Sequence, residues 1–151
     1  MESTNQKNLA TFTHLSTLSQ YCIPFGNYIF PILIWSTNKD KSELIDHQGK
    51  QAINFQLSIL LYSLVLAVIA IPIFIVTVFH NIPLNTVIND EQFMADHFSV
   101  ENVTGIVIVA IIAILLFVAL KVAEFFLIIY ASLKASSGDH YKYPLTIPFI
   151  K

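Results

Sequence analysis

Apolar residues run almost unbroken from Ile53 to Phe79 and again from Val103 to Leu133. Neither run alternates with a period of two, so neither reads as a set of strands. A stretch of 18 or more mostly apolar residues reads as a membrane-crossing helix, because a helix satisfies its own backbone groups where water is absent. The pattern predicts such helices over about 51–80 and 103–133.

Residues 9–35 form a third, mixed segment. Phe12, Leu15, Leu18 and Cys22 share one helical stripe while Thr13, Thr17 and Gln20 fall elsewhere, an amphipathic pattern rather than a lipid-facing one. The run Ile23-Pro24-Phe25-Gly26-Asn27 should then kink or break the helix, since Pro24 clashes with the preceding turn, and Pro31 sits in the apolar second half. Unbroken, the segment rises ~40 Å at 1.5 Å per residue, enough to cross with tilt. The fold expected is all-α: a small polytopic helical membrane bundle of three transmembrane helices, the first kinked. Division at Pro24–Gly26 would instead give a re-entrant pair or a fourth crossing.

What remains is a polar connector over 36–50, an acidic loop over 81–102 and a tail over 134–151, the whole forming a single integral membrane domain over 1–151. Pro72 should kink the exit half of the second segment. The connector carries Lys39, Lys41 and Lys50, the tail Lys134, Lys142 and Lys151, and the acidic loop no lysine. Lysine bias sets orientation, which puts connector and tail in the cytoplasm and the loop outside. Three crossings then leave the N-terminus outside; a re-entrant first segment returns it to the cytoplasm.

Composition agrees. The chain is 55% hydrophobic and 12% charged, against about 25% charged in soluble domains. Four glycines are too few for a loop-rich β structure. A net charge of −2 gives no electrostatic footprint for nucleic acid. The one cysteine, Cys22, excludes an internal disulfide and a cysteine metal site. Tyr21 stands before it where lipoprotein processing wants a small residue. The N-terminus lacks the basic start and apolar core of a cleaved signal, so the mature protein is expected to keep it.

Two patterns bear on chemistry. Lys121 and Glu124 lie three apart inside the apolar run 103–133, on one helical face. Charges at that depth face a bundle interior or water, which leaves three readings: a buried structural ion pair, a lysine snorkelling to the headgroups, or an ion or proton path. Asn54, Ser58 and Tyr62 follow at i+4 and should face other helices. The five histidines are scattered; Asp46-His47 and Asp139-His140 share the expected cytoplasmic side and read as ordinary surface histidines, with titration near neutral pH the rival reading. Asp90, Glu91, Asp96 and His97 match no metal-ligand spacing. The sequon Asn102-Val103-Thr104 lies too close to the membrane for glycosylation. With neither a nucleophile–base pair nor a glycine-rich phosphate loop, no catalysis, cofactor or metal is expected.

Three stretches carry a resemblance: Ile23-Pro24-Phe25-Gly26-Asn27 leading to Pro31 and Trp35; His47-Gln48-Gly49-Lys50 through Asn54 and Gln56; and Tyr141-Lys142-Tyr143-Pro144-Leu145. They resemble the signatures of a bacterial membrane-protein family of unknown function, distantly similar to the Tic-twenty subunit of the chloroplast inner-envelope import machinery. That resemblance implies four crossings and a role near protein translocation. Physically, His47 to Gln56 would feed polar groups into the cytoplasmic mouth of the second helix, and the Tyr–Lys–Tyr–Pro tail would lie against the headgroups. The expected function is a non-catalytic subunit or scaffold of an inner-membrane assembly, with lipid and other membrane subunits or a second copy as partners. The rival is a small ion or solute channel lined by Lys121 and Glu124.

Overall fold

The computed structural model describes residues 3–81 and 100–151. Helix α1 spans Thr4–Leu15 and tightens into a 3-10 turn at Ser16–Tyr21; α2 spans Gly26–Asn38; a second 3-10 turn covers Lys39–Lys41; α3 runs Glu43–Asn81 and α4 Val100–Ser137. No strand occurs among the described residues. The acidic loop, with Asp90, Glu91, Asp96 and His97, lies outside them, as do the side chains of the sequon.

Local chemistry sets the boundaries. Ser3 and Gln6 form a capping box that starts α1. The Ser42 side chain accepts from the Leu44 amide to start α3, whose first turn carries Glu43 and Asp46 against the positive helix end. At the end of α4 the Gly138 amide donates to the Ala135 carbonyl and the Asp139 amide to Lys134, with Gly138 at φ 87°, so the helix closes on the one residue type that holds a left-handed backbone cheaply. The polar connector expected over 36–50 shrinks to the few residues after Asn38, because both flanking helices grow into it.

The single kinked helix expected over 9–35 does not form. The chain breaks at Phe25, held left-handed at φ 62°, and α2 runs back alongside α1. The Gln6 side-chain amide donates to the Lys41 carbonyl (3.2 Å), and Lys7 Nζ to the Ser137 carbonyl (3.2 Å). The starts of α1 and α3 and the ends of α2 and α4 therefore meet at one end. The reversal needs close approach at the turn: a Cβ on Gly26 would stand 2.5 Å from Ser19 Oγ. Two helices, Glu43–Val76 and Val107–Ser137, have the length and apolarity to cross a membrane, and their most apolar windows are almost bare of protein cover. Water would not tolerate so much exposed Leu, Ile, Val and Phe, and lipid does. This is a membrane protein.

Two compact units result. The first, residues 1–61 and 121–151, holds α1, α2, the tail and the adjoining parts of α3 and α4. Its apolar core joins Ala10, Leu44 and Ala135, the two alanines letting helices close up around the leucine. The second, residues 62–120, exposes apolar side chains such as Leu64, Val68, Ile112 and Leu115. Pro72 lies inside α3 there.

Candidate functional site

Inside the first unit, polar side chains gather from every segment. His14 of α1, fully buried, is the hub. Its Nε2 lies 3.0 Å from Gln48 Oε1 and its Nδ1 2.9 Å from the Tyr143 hydroxyl. The amide nitrogen of Gln48 donates to the Asp139 carbonyl. That fixes the protons: Gln48 Oε1 can only accept, so His14 Nε2 donates, and Nδ1 accepts from Tyr143. The ring is neutral. Burial lowers its pKa to about 4, against the raising effect of the Gln48 bond, with His47 nearby lowering it further. Burial also pushes the Tyr143 phenol well above its usual value, Tyr141 and Glu124 adding to it. Tyr143 is thus a fixed donor at any ordinary pH. Its ring stacks flat on Phe55, centroids 4.0 Å apart, and meets Tyr141 edge-on.

The tail is held along its length. Gln51 Oε1 accepts from the Tyr143 amide (3.4 Å). The Asn54 side chain pairs both ways with Ile150, donating to its carbonyl (2.9 Å) and accepting from its amide (2.8 Å). Ser58 Oγ accepts from the Ile147 amide (2.9 Å) and donates to the Asn54 carbonyl. His47 Nε2 donates to the Tyr141 carbonyl (3.2 Å), and its ring packs edge-on against His140. Pro144 opens the turn that carries Leu145 at φ 59° and lets the strap reverse.

A second group secures the hairpin. Glu124, fully buried, accepts from Gln20 (2.9 Å) at one oxygen and from Lys121 (2.8 Å) at the other. Asn27 Nδ2 donates to Gln56 Oε1 (2.7 Å), and the Tyr28 hydroxyl donates to the Gln56 carbonyl (3.4 Å). Nearer the polar end, Trp35 Nε1 donates to Asp46 Oδ1 (2.9 Å), whose other oxygen takes Lys50 (2.6 Å). Among the described residues, only Gln56 Nε2 and Thr146 Oγ1 are buried side-chain polar atoms with no partner.

The sequence-derived candidates therefore separate. Asn54, Ser58, His47, Tyr141, Tyr143 and Pro144 come together where tail meets α3; Lys121, Glu124 and Gln56 meet the hairpin; Lys50 joins Asp46 and Trp35. Tyr62 belongs to the second unit. The stripe Asn54–Ser58 faces the tail, not another helix as expected. Sequence reasoning passed over His14, Gln48, Gln20 and Asn27. The available signal was the polar side chains within the mixed segment 9–35, several of which turn inward. Phe12 and Cys22 instead face outward while Thr13, His14 and Thr17 are buried, the reverse of the stripe's expected sense. No group of three or more metal-ligating side chains occurs among the described residues.

The model of the magnetosome magnetite crystal formation protein family matches residues 5–150. No curated protein and no solved structure matches the chain. The resemblance to an import subunit is thereby corrected: the match covers the three signature stretches that carried it and assigns them to a different family, so the expected role near protein translocation falls with it.

Proposed function

The chain belongs to the magnetosome magnetite crystal formation protein family, and we propose that it serves there without catalysis, as a scaffold of the mineral-forming membrane. One observation carries this reading. The buried polar side chains bond within the chain: His14, Gln48, Tyr143, Asn54 and Glu124 each pair with another segment of it, and among the described residues only Gln56 Nε2 and Thr146 Oγ1 are left over. Such a network fixes structure, whereas a catalytic or transport site leaves groups facing a substrate or water. A rigid unit with all four helices and the tail gathered at one end suits the anchoring of other components. On the lysine rule that end lies in the cytoplasm, and the bilayer is the cytoplasmic membrane or one derived from it. Neighbouring membrane subunits or a second copy are the partners this role requires.

The channel reading loses its support from geometry, since Glu124 is fully buried with both oxygens engaged by Gln20 and Lys121. Complementation tests the scaffold. In cells lacking this gene, the intact chain should restore normal magnetite crystals by electron microscopy, and Glu124→Gln should restore them too if its level in the membrane is unchanged. Failure of a well-expressed Glu124→Gln chain, accompanied by lost ion flux in vesicles, would replace the scaffold with a conduction role.

A further inference from the structure

We propose that the α1–α2 hairpin is a wedge confined to one leaflet, its outer surface in contact with acyl chains and its tip, Tyr21–Phe25, near the bilayer midplane. The inference rests on α3 and α4 crossing the membrane, and not on the scaffold role.

Three observations converge. First, the hairpin is built inside out. Phe12 (61% exposed), Phe25 (72%) and Leu33 (54%) point outward, with Ile23, Ile29 and Ile32, whereas Thr13, His14, Thr17 and Asn27 are buried. A water-facing hairpin has the opposite arrangement. Second, its depth is one leaflet. Asn27 and Gln20, flanking the tip, are tied to Gln56, 13 residues into α3, and to Glu124, 13 residues before the end of α4. Each path gives ~20 Å at 1.5 Å per residue, against ~20–22 Å for half a bilayer including headgroups. Third, polarity grades along it. Asn5, Lys7, Asn8, Asn38, Lys39 and Lys41 sit at the open end, with Trp35 and its bonded N–H just inside, as an interfacial aromatic should be.

Lipid is the occupant because the surface is continuous with other lipid-suited positions at the level of the tip. Leu60 and Leu61 on α3, and Val122, Phe125 and Phe126 on α4, are exposed in the same unit. A membrane-protein partner would need small residues for close helix approach, and the outward face from Ile23 to Leu33 carries bulky Ile, Phe and Leu side chains instead.

Cys22, exposed at the tip and the only cysteine, gives the test without mutation. The full chain, labelled there with an environment-sensitive maleimide fluorophore, is reconstituted into phosphatidylcholine–phosphatidylglycerol vesicles. Quenching by lipids brominated deep in the acyl chain should exceed quenching by headgroup-labelled lipid or aqueous iodide several-fold. Dominant iodide quenching would overturn the proposal. So would Cys22–Cys22 cross-linking with the probe shielded from lipid, which would make a second copy the occupant. In a Cys22→Ser background, Ser3→Cys and Lys39→Cys should react with an impermeant maleimide from the same side as Lys151→Cys. Reaction of Ser3→Cys from the opposite side would restore a crossing and end the wedge. The mineral phenotype reads the scaffold role separately.

Discussion

His14 and Tyr143 show how one hydrogen bond reaches three segments. Tyr143→Phe keeps the stack on Phe55 but leaves His14 Nδ1 buried without its donor, which should cost about 1–3 kcal/mol and lower the unfolding midpoint in detergent. Acid should act through the same ring. An unfolded chain takes up the proton near pH 6.5 and the folded one near 4, so stability holds above 6.5 and falls as pH drops between those values. The loss is on the order of 3 kcal/mol, since each pH unit crossed between them removes about 1.4 kcal/mol. Chemical denaturation at pH 7 and pH 4 measures it, and His14→Leu should flatten that slope. None of this was legible from the residue alone. A histidine in an amphipathic stretch reads as surface until its helix is known to face lipid, and that depends on contacts 34 and 129 positions away.

At the scale of elements, the two long helices were legible because a run of apolar side chains has one physical outcome in lipid. Their polar ends were not, since Glu43 to Lys50 looks like a connector until Leu44, Ile45, Gln48 and Gly49 are buried by neighbours. The break at Pro24–Gly26 was legible as well, but kink and reversal share that signature. The reversal is decided by Gln6–Lys41 and Asn27–Gln56, pairs that local pattern does not reveal. Packing makes the element-level predictions. A Cβ on Gly49 would lie 2.3 Å from Trp35 Cδ1, so Gly49→Ala must displace the indole and strain its bond to Asp46. The expected loss is about 1–3 kcal/mol, read from thermal unfolding. Asn54→Ala removes both bonds to Ile150 and should speed proteolytic clipping of the tail several-fold; an unchanged rate would mean that Ser58 and Gln51 hold the strap alone.

For the whole molecule, a hairpin inserted in one leaflet adds area there, and such insertion favours membranes convex on that side. Reconstituted protein should therefore concentrate in narrow tethers pulled from giant vesicles with the tail face outward, relative to the flat parent membrane. The tail locks the hairpin to the long helices through His14, Gln48 and Tyr143. Hydrogen exchange over residues 4–38, compared between the intact chain and one ending at Ser137, measures that lock. The intact chain should protect α1 and α2 amides strongly, and the shortened chain should lose much of that protection while the apolar parts of α3 and α4 keep theirs. Equal protection of the hairpin in both chains would contradict the account.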